Sequence, residues 1–162
     1  MTIGYERTTC TVCDFPALAP LIWIEQSGVP HGEAGHNTTY SRHAMAVCQQ
    51  CDHAQLESYS HDCWSHDEDW DMYWWYVLDP PDVAQLRALL KACPKPRDPH
   101  CGCSIHVALR STCERLYGGI QHAVSPDGKV RSAKISLEMI EGAPTLHIKR
   151  EGNFRRMAST RN

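Results

Sequence analysis

Cys10-Thr-Val-Cys13-Asp and Cys48-Gln-Gln-Cys51-Asp repeat one pattern, with 34 residues between Cys13 and Cys48. A C-x-x-C turn aims two thiolates at a single point, and two such turns supply the four donors of a closed tetrahedral metal site. This constrains the fold more than any local propensity, because it draws remote stretches of chain onto one ion. Composition agrees: nine Cys and ten His in 162 residues exceed what ordinary globular composition supplies. The Cys count is odd, and Met1 to Val12 carries Glu6 and Arg7 where a secretory leader needs a basic start and an apolar middle. Reduced thiols in the cytoplasm are therefore expected, not a disulfide scaffold. A redox C-x-x-C would need one pair opening a helix, not two matched pairs.

Over residues 8–55 the two knuckles resemble the zinc-ribbon class, in which pseudo-symmetric knuckles sit at the ends of β-hairpins. The resemblance implies a ribbon-like β module and a structural Zn2+ on Cys10, Cys13, Cys48 and Cys51. It is a fold-level likeness to a module that serves many functions. One departure is visible: Asp14 and Asp52 follow the second Cys of each knuckle, with no Gly close behind.

Cys93, Cys101 and Cys103 form a second group around Pro94-Lys-Pro-Arg-Asp-Pro99. Three thiols need a fourth ligand. His106 lies within one helical turn of Cys103 and reaches; His100 and Cys63 are alternatives. Cys113 matches by count, but ten helical residues place it ~15 Å from Cys103, whereas sulfurs on one zinc stand only about 3.8 Å apart. The expectation is a second structural Zn2+ on Cys93, Cys101, Cys103 and His106, with Cys63 and Cys113 as inert core thiols.

Hydropathy sets the remaining elements. Leu21 to Ile24 and Tyr40 to Val47 read as strands, with a Gly/Pro loop between. Trp70 to Leu78 is apolar on both faces at period two, the mark of an interior strand. Asp79-Pro-Pro-Asp82 starts a helix expected to run to about Ala92, with Asp79 as cap and Leu86, Leu89 and Leu90 inward. A second helix fits Ser104 to Tyr117 on Ile105, Ala108, Leu109, Thr112 and Leu116. After Gly119 the period returns to two, with a turn at Ser125 to Gly128 and strands over Val130 to Ile140 and Leu146 to Ile148. The expected fold is α+β: a zinc-ribbon-like module over 1–60, then 61–152 with two helices, the second metal clip and a C-terminal antiparallel β-meander, then a disordered basic tail at 153–162.

Charge separates the two halves. Residues 1–86 hold two basic and thirteen acidic residues; 87–162 hold fourteen basic and six acidic, so a net charge of -3 hides -11 against +8. Between His43 and Gln85 there is no Lys or Arg. Asp67, Glu68, Asp69 and Asp71 stand among Trp64, Trp70, Tyr73, Trp74 and Trp75, the composition of a surface that attracts a basic protein and anchors it with aromatics. A non-enzymatic binder of such a partner, in the manner of an inhibitor or immunity protein, is the leading expectation. Nucleic acid bound by Lys129, Arg131, Lys134, Lys149, Arg150, Arg155 and Arg156 is the alternative. His31-Gly-Glu33 before Cys48-x-x-Cys51 resembles the zinc-deaminase signature, but Val47 replaces its Pro and Cys10 and Cys13 are unexplained. His61 to Asp69 has the donors of an open hydrolytic metal site, though acidic runs of this kind are usually solvated. No P-loop, G-x-S-x-G or G-x-G-x-x-G occurs, and no apolar run reaches the roughly 20 residues of a membrane span.

Overall fold

The computed structural model describes residues 9–28, 40–65, 68–116, 131–149 and 155–156, with backbone alone at 62–65, 68–74, 114–115, 131–132 and 155–156. Its strands are β1 (Leu18–Gly28), β2 (Tyr40–Cys48), β3 (Ala54–Ser65), β4 (Glu68–Leu78), β5 (Arg131–Ile140), β6 (Ala143–Ile148) and β7 (Arg155–Arg156). Two helices, α1 (Pro80–Leu90) and α2 (Ser104–Leu116), lie between β4 and β5.

The strands form one sheet in the order β1-β2-β3-β4-β5-β6, with β7 on β5. β1 to β4 run antiparallel, whereas β5 joins β4 in parallel through Trp75↔Ser132 to Leu78↔Ile135. A parallel return needs a long crossover, and the two helices supply it. This corrects the α+β expectation: the protein is mainly β, a curled mixed sheet with two short helices. The C-terminal strands are not an antiparallel meander of their own, because β5 completes the sheet that begins at β1. The expected turn at Ser125 to Gly128 lies outside the described residues; of the tail expected to be disordered, only Arg155 and Arg156 are described, as β7 against Ser132 and Arg131 of β5.

The largest departure is β3. Its sequence alternates Ala54, Leu56 and Ser58 with Gln55, Glu57, Tyr59 and His61, and all seven are buried. From sequence this stretch is assigned no element and His61 to Asp69 reads as a solvated run, yet His61 is buried and Glu57 is only 1% exposed. Its charge is matched across the sheet, as Arg42 Nη2 donates to Glu57 Oε1 at 2.9 Å and Trp75 Nε1 to Oε2 at 3.0 Å. β4 is the interior strand expected, with Trp75, Tyr76, Val77 and Leu78 buried on both faces.

The core lies between one sheet face and the helices. Ile22, Ile24, Met45, Leu56, Tyr76, Leu78 and Ile135 meet Val83, Leu86 and Leu90 of α1 and Ile105, Leu109, Cys113 and Leu116 of α2. Helix α1 ends at Leu90, two residues short of expectation, and its N-cap makes no side-chain capping bond. The Asp79 carboxylate turns instead to Lys149 at 3.1 Å and to Lys134 and His53 at 3.5 Å. Ion pairs from two neighbouring strands outcompete a local cap. No helix among the described residues is long and apolar enough to cross a membrane.

Candidate metal centres

The first centre is built by two turns at one end of the sheet. Cys10 and Cys13 precede β1, and Cys48 to Cys51 form the β2–β3 turn. The turns copy one another in their backbone bonds. Asp14 N–H donates to Cys10 O at 3.0 Å and Asp52 N–H to Cys48 O at 3.1 Å, while Cys10 N–H reaches Phe15 O and Cys48 N–H reaches His53 O, each at 2.9 Å. Asp14 and Asp52 both have φ of 60°. This explains the missing Gly: the knuckle needs one left-handed residue, and Asp is among the few non-Gly residues that tolerate it. Val12 N–H and Gln50 N–H point at the sulfurs of Cys10 and Cys48, at 3.3 and 3.4 Å. Cys10 Sγ lies 3.7 Å from Cys51 Sγ, and Cys13 Sγ 3.6 Å from Cys48 Sγ. Those separations fit the roughly 3.8 Å that tetrahedral Zn–S bonds impose.

The second centre joins the end of α1 to the start of α2. Cys93 Sγ lies 4.0 Å from Cys101 Sγ and 3.5 Å from Cys103 Sγ, and His106 Nδ1 is 3.3 Å from both Cys93 and Cys103. His106 Nε2 is 3.0 Å from the Trp23 carbonyl, which can only accept, so Nε2 carries the proton and Nδ1 presents its lone pair to the thiols. Within each group of four, all donor atoms lie within 4.8 Å of one another. Both groups can hold a metal ion.

Each sequence-derived ligand thus falls where its spacing placed it, and His106 rather than His100 completes the second set. His100 is exposed. Cys113 is buried in the core against α1 and the sheet, outside either group. The side chain of Cys63 lies outside the described residues. Cys48 and Cys51 of the deaminase-like pattern sit with Cys10 and Cys13, while His31 and Glu33 lie outside the description.

Without a cation the thiols do not share negative charge equally. Burial pushes Cys10 and Cys51 up, and Cys93 up to about 12. At Cys48 and Cys103 burial opposes ionisation too, but backbone donors outweigh it and lower both: the Cys51 and Gln50 N–H groups on Cys48, and the His106 backbone N–H on Cys103. One sulfur per group accepts the charge easily, while Cys10 and Cys51 in the first and Cys93 in the second resist it. A dication removes that conflict, and its binding must expel protons.

Supporting contacts escaped the sequence reading. Gln55 Oε1 accepts Thr11 N–H at 3.1 Å and fixes one knuckle to β3. Arg110, one turn beyond His106, donates to Ile24 O, Pro99 O and Cys101 O at 3.0, 2.7 and 2.6 Å. Its i+4 spacing from His106 was the one available hint. Trp23 acts through a backbone carbonyl 83 residues from His106, which no side-chain pattern reveals.

Of the acidic group, Glu68, Asp69 and Asp71 lie on β4 opposite Ser65, Cys63 and His61; Asp67 is outside the described residues. About 30 Å of extended strand separates Glu68 from Leu78, so the acidic end of the β3–β4 hairpin lies far from the knuckle end. Among the basic candidates, Lys134 and Lys149 are engaged by Asp79. No protein-family model, curated protein or solved structure matches the chain.

Proposed function

We propose that this chain is a non-enzymatic, cytoplasmic zinc protein whose two ions are structural, and which binds a basic protein partner through the acidic end of its β3–β4 hairpin. One observation carries the zinc assignment: two sets of four protein donors converge at separations that fit a tetrahedral ion. Each set fills all four positions, so neither ion offers an open site for a substrate. Soft thiolate and imidazole donors in this geometry select zinc over harder cations. One ion ties the chain before β1 to the β2–β3 turn, and the other ties the end of α1 to the start of α2, which the His106–Trp23 hydrogen bond in turn fastens to β1.

The partner reading draws on charge. Glu68, Asp69 and Asp71 lie on the first residues of β4, next in sequence to Asp67 and in a segment without basic residues, and such a concentration of acidic charge steers a cationic protein electrostatically. Of the aromatics expected to flank the carboxylates, Trp75 is core, and recognition is assigned to the carboxylates themselves. The nucleic-acid alternative has less support, because Lys134 and Lys149 already face a carboxylate.

Metal analysis of purified protein should find two zinc ions per chain, and cobalt substitution should give tetrahedral spectra with thiolate charge-transfer bands at both centres. A ratio near zero, or an exchangeable water on either ion, overturns the structural assignment. The partner reading is tested by titration against a panel of basic proteins. A complex whose affinity is unchanged after Asp67→Asn, Glu68→Gln, Asp69→Asn and Asp71→Asn are combined overturns it.

A further inference from the structure

A groove of 570 Å³ lies between the first half of β1 and the proline-rich loop, with Pro20 and Leu21 on one side and Lys95, Pro96, Arg97 and Asp98 on the other. We propose that it binds an acidic segment of a protein partner, seating an aliphatic side chain against Pro20, Leu21 and Pro96 and carboxylates on Lys95 and Arg97. This surface is separate from the acidic hairpin end and takes ligands of the opposite charge.

The charge balance selects the occupant. Lys95 and Arg97 are exposed, and neither forms an ion pair among the described residues. The one carboxylate in the groove, Asp98, accepts the His100 N–H at 2.9 Å and is held in its own turn. Two cations against one carboxylate leave the groove net positive beside its apolar floor, on a chain whose net charge is -3. The pairing of cationic rim and apolar floor asks for a segment that alternates acidic and aliphatic side chains.

The walls are preformed. Trp23 N–H donates to Pro96 O at 2.9 Å and Asp98 N–H to Lys95 O at 3.1 Å. Arg110 holds Pro99 and Cys101 by their carbonyls. A ligand then spends little of its binding energy on ordering the loop. The volume falls within the range of ligand clefts, enough for a few residues of peptide. Strand addition is disfavoured, because Pro20 lacks an N–H and β1 is irregular between Pro20 and Ile22 and again between Trp23 and Glu25. Side chains, not a β-ladder, must hold the occupant.

Fluorescence anisotropy at low salt with a short labelled peptide rich in Glu and Leu tests this. Saturable binding is expected, weakened about ten-fold or more when Lys95→Glu and Arg97→Glu are combined, and weakened by Leu21→Ser alone. A Lys/Leu peptide of the same length should not compete. Both cations are exposed, so the double variant should retain its zinc content and far-UV spectrum. Amide chemical shifts of the wild-type protein give a second readout, with changes expected at Leu21 and across Lys95 to Asp98. Equal affinity for the double variant, equal affinity for the Lys/Leu peptide, shifts confined to other surfaces, or no saturable binding overturns the proposal. None of these outcomes bears on the zinc count or on the basic partner.

Discussion

Glu57→Gln is the sharpest test of what holds the sheet together. The Glu57 carboxylate is buried and accepts from both Arg42 and Trp75. Arg42, whose side chain is 7% exposed, also lies 4.6 Å from the centroid of the Tyr59 ring. Glutamine keeps the shape but removes the charge, and its amide nitrogen cannot accept a hydrogen bond. The guanidinium is then buried without a counter-charge, a situation that costs about 3–5 kcal/mol. With a urea dependence of about 1–3 kcal/mol per M, the unfolding midpoint of zinc-saturated protein should fall by about 2 M with the slope unchanged. Removing both charges, as Arg42→Met with Glu57→Leu, should recover about half of the loss and leave mainly the orphaned Trp75 N–H, worth about 1–3 kcal/mol. A loss below about 1 kcal/mol for Glu57→Gln, or a double variant worse than the sum of its singles, would refute the account of β3 as a strand anchored by a buried ion pair.

Zinc uptake by metal-free protein should release more than one proton per ion at neutral pH, since Cys10, Cys51 and Cys93 are pushed up and must ionise to bind; calorimetry in buffers of different ionisation enthalpy measures this, and zero release contradicts it. His106→Ala should lower the zinc content from two to one and expose the proline-rich loop to protease, whereas Cys113→Ser should leave both ions in place and cost only core stability; a changed zinc ratio in the second variant would put Cys113 in the metal site. The Asp79 carboxyl is held below its usual range, because Lys149, Lys134 and His53 outweigh the opposing effect of burial. Its folded pKa is thus below the unfolded one, so its stabilisation is present above the ordinary Asp value and is lost as pH falls through the folded pKa. The stability gap between wild type and Asp79→Asn should accordingly close on acidification, and a gap that widens would reverse the assigned sign.

The two donor groups that could hold a metal were legible in the sequence because coordination chemistry is a matter of donor type and spacing. C-x-x-C is short enough to close on one ion in almost any fold, and His106 follows Cys103 by one helical turn. The helices and β4 were legible for a similar reason, since prolines and the apolar periods of helix and strand act within a few residues. Residues Asp14 and Asp52 show where local reading stopped short, for the left-handed turn they adopt is visible only in the backbone.

Tertiary structure alone decided the rest. Strand β3 looks soluble residue by residue, and it is a strand because Arg42 and Trp75, on neighbouring strands, supply the partners that make its polar face affordable to bury. The parallel pairing of β5 with β4 turned an expected meander into the far half of one sheet. Which carbonyl orients His106, and which loop closes the groove over β1, depend on groups more than 70 residues apart in sequence. Donor chemistry is written into short windows, whereas the satisfaction of buried charge and backbone is settled only when distant strands meet.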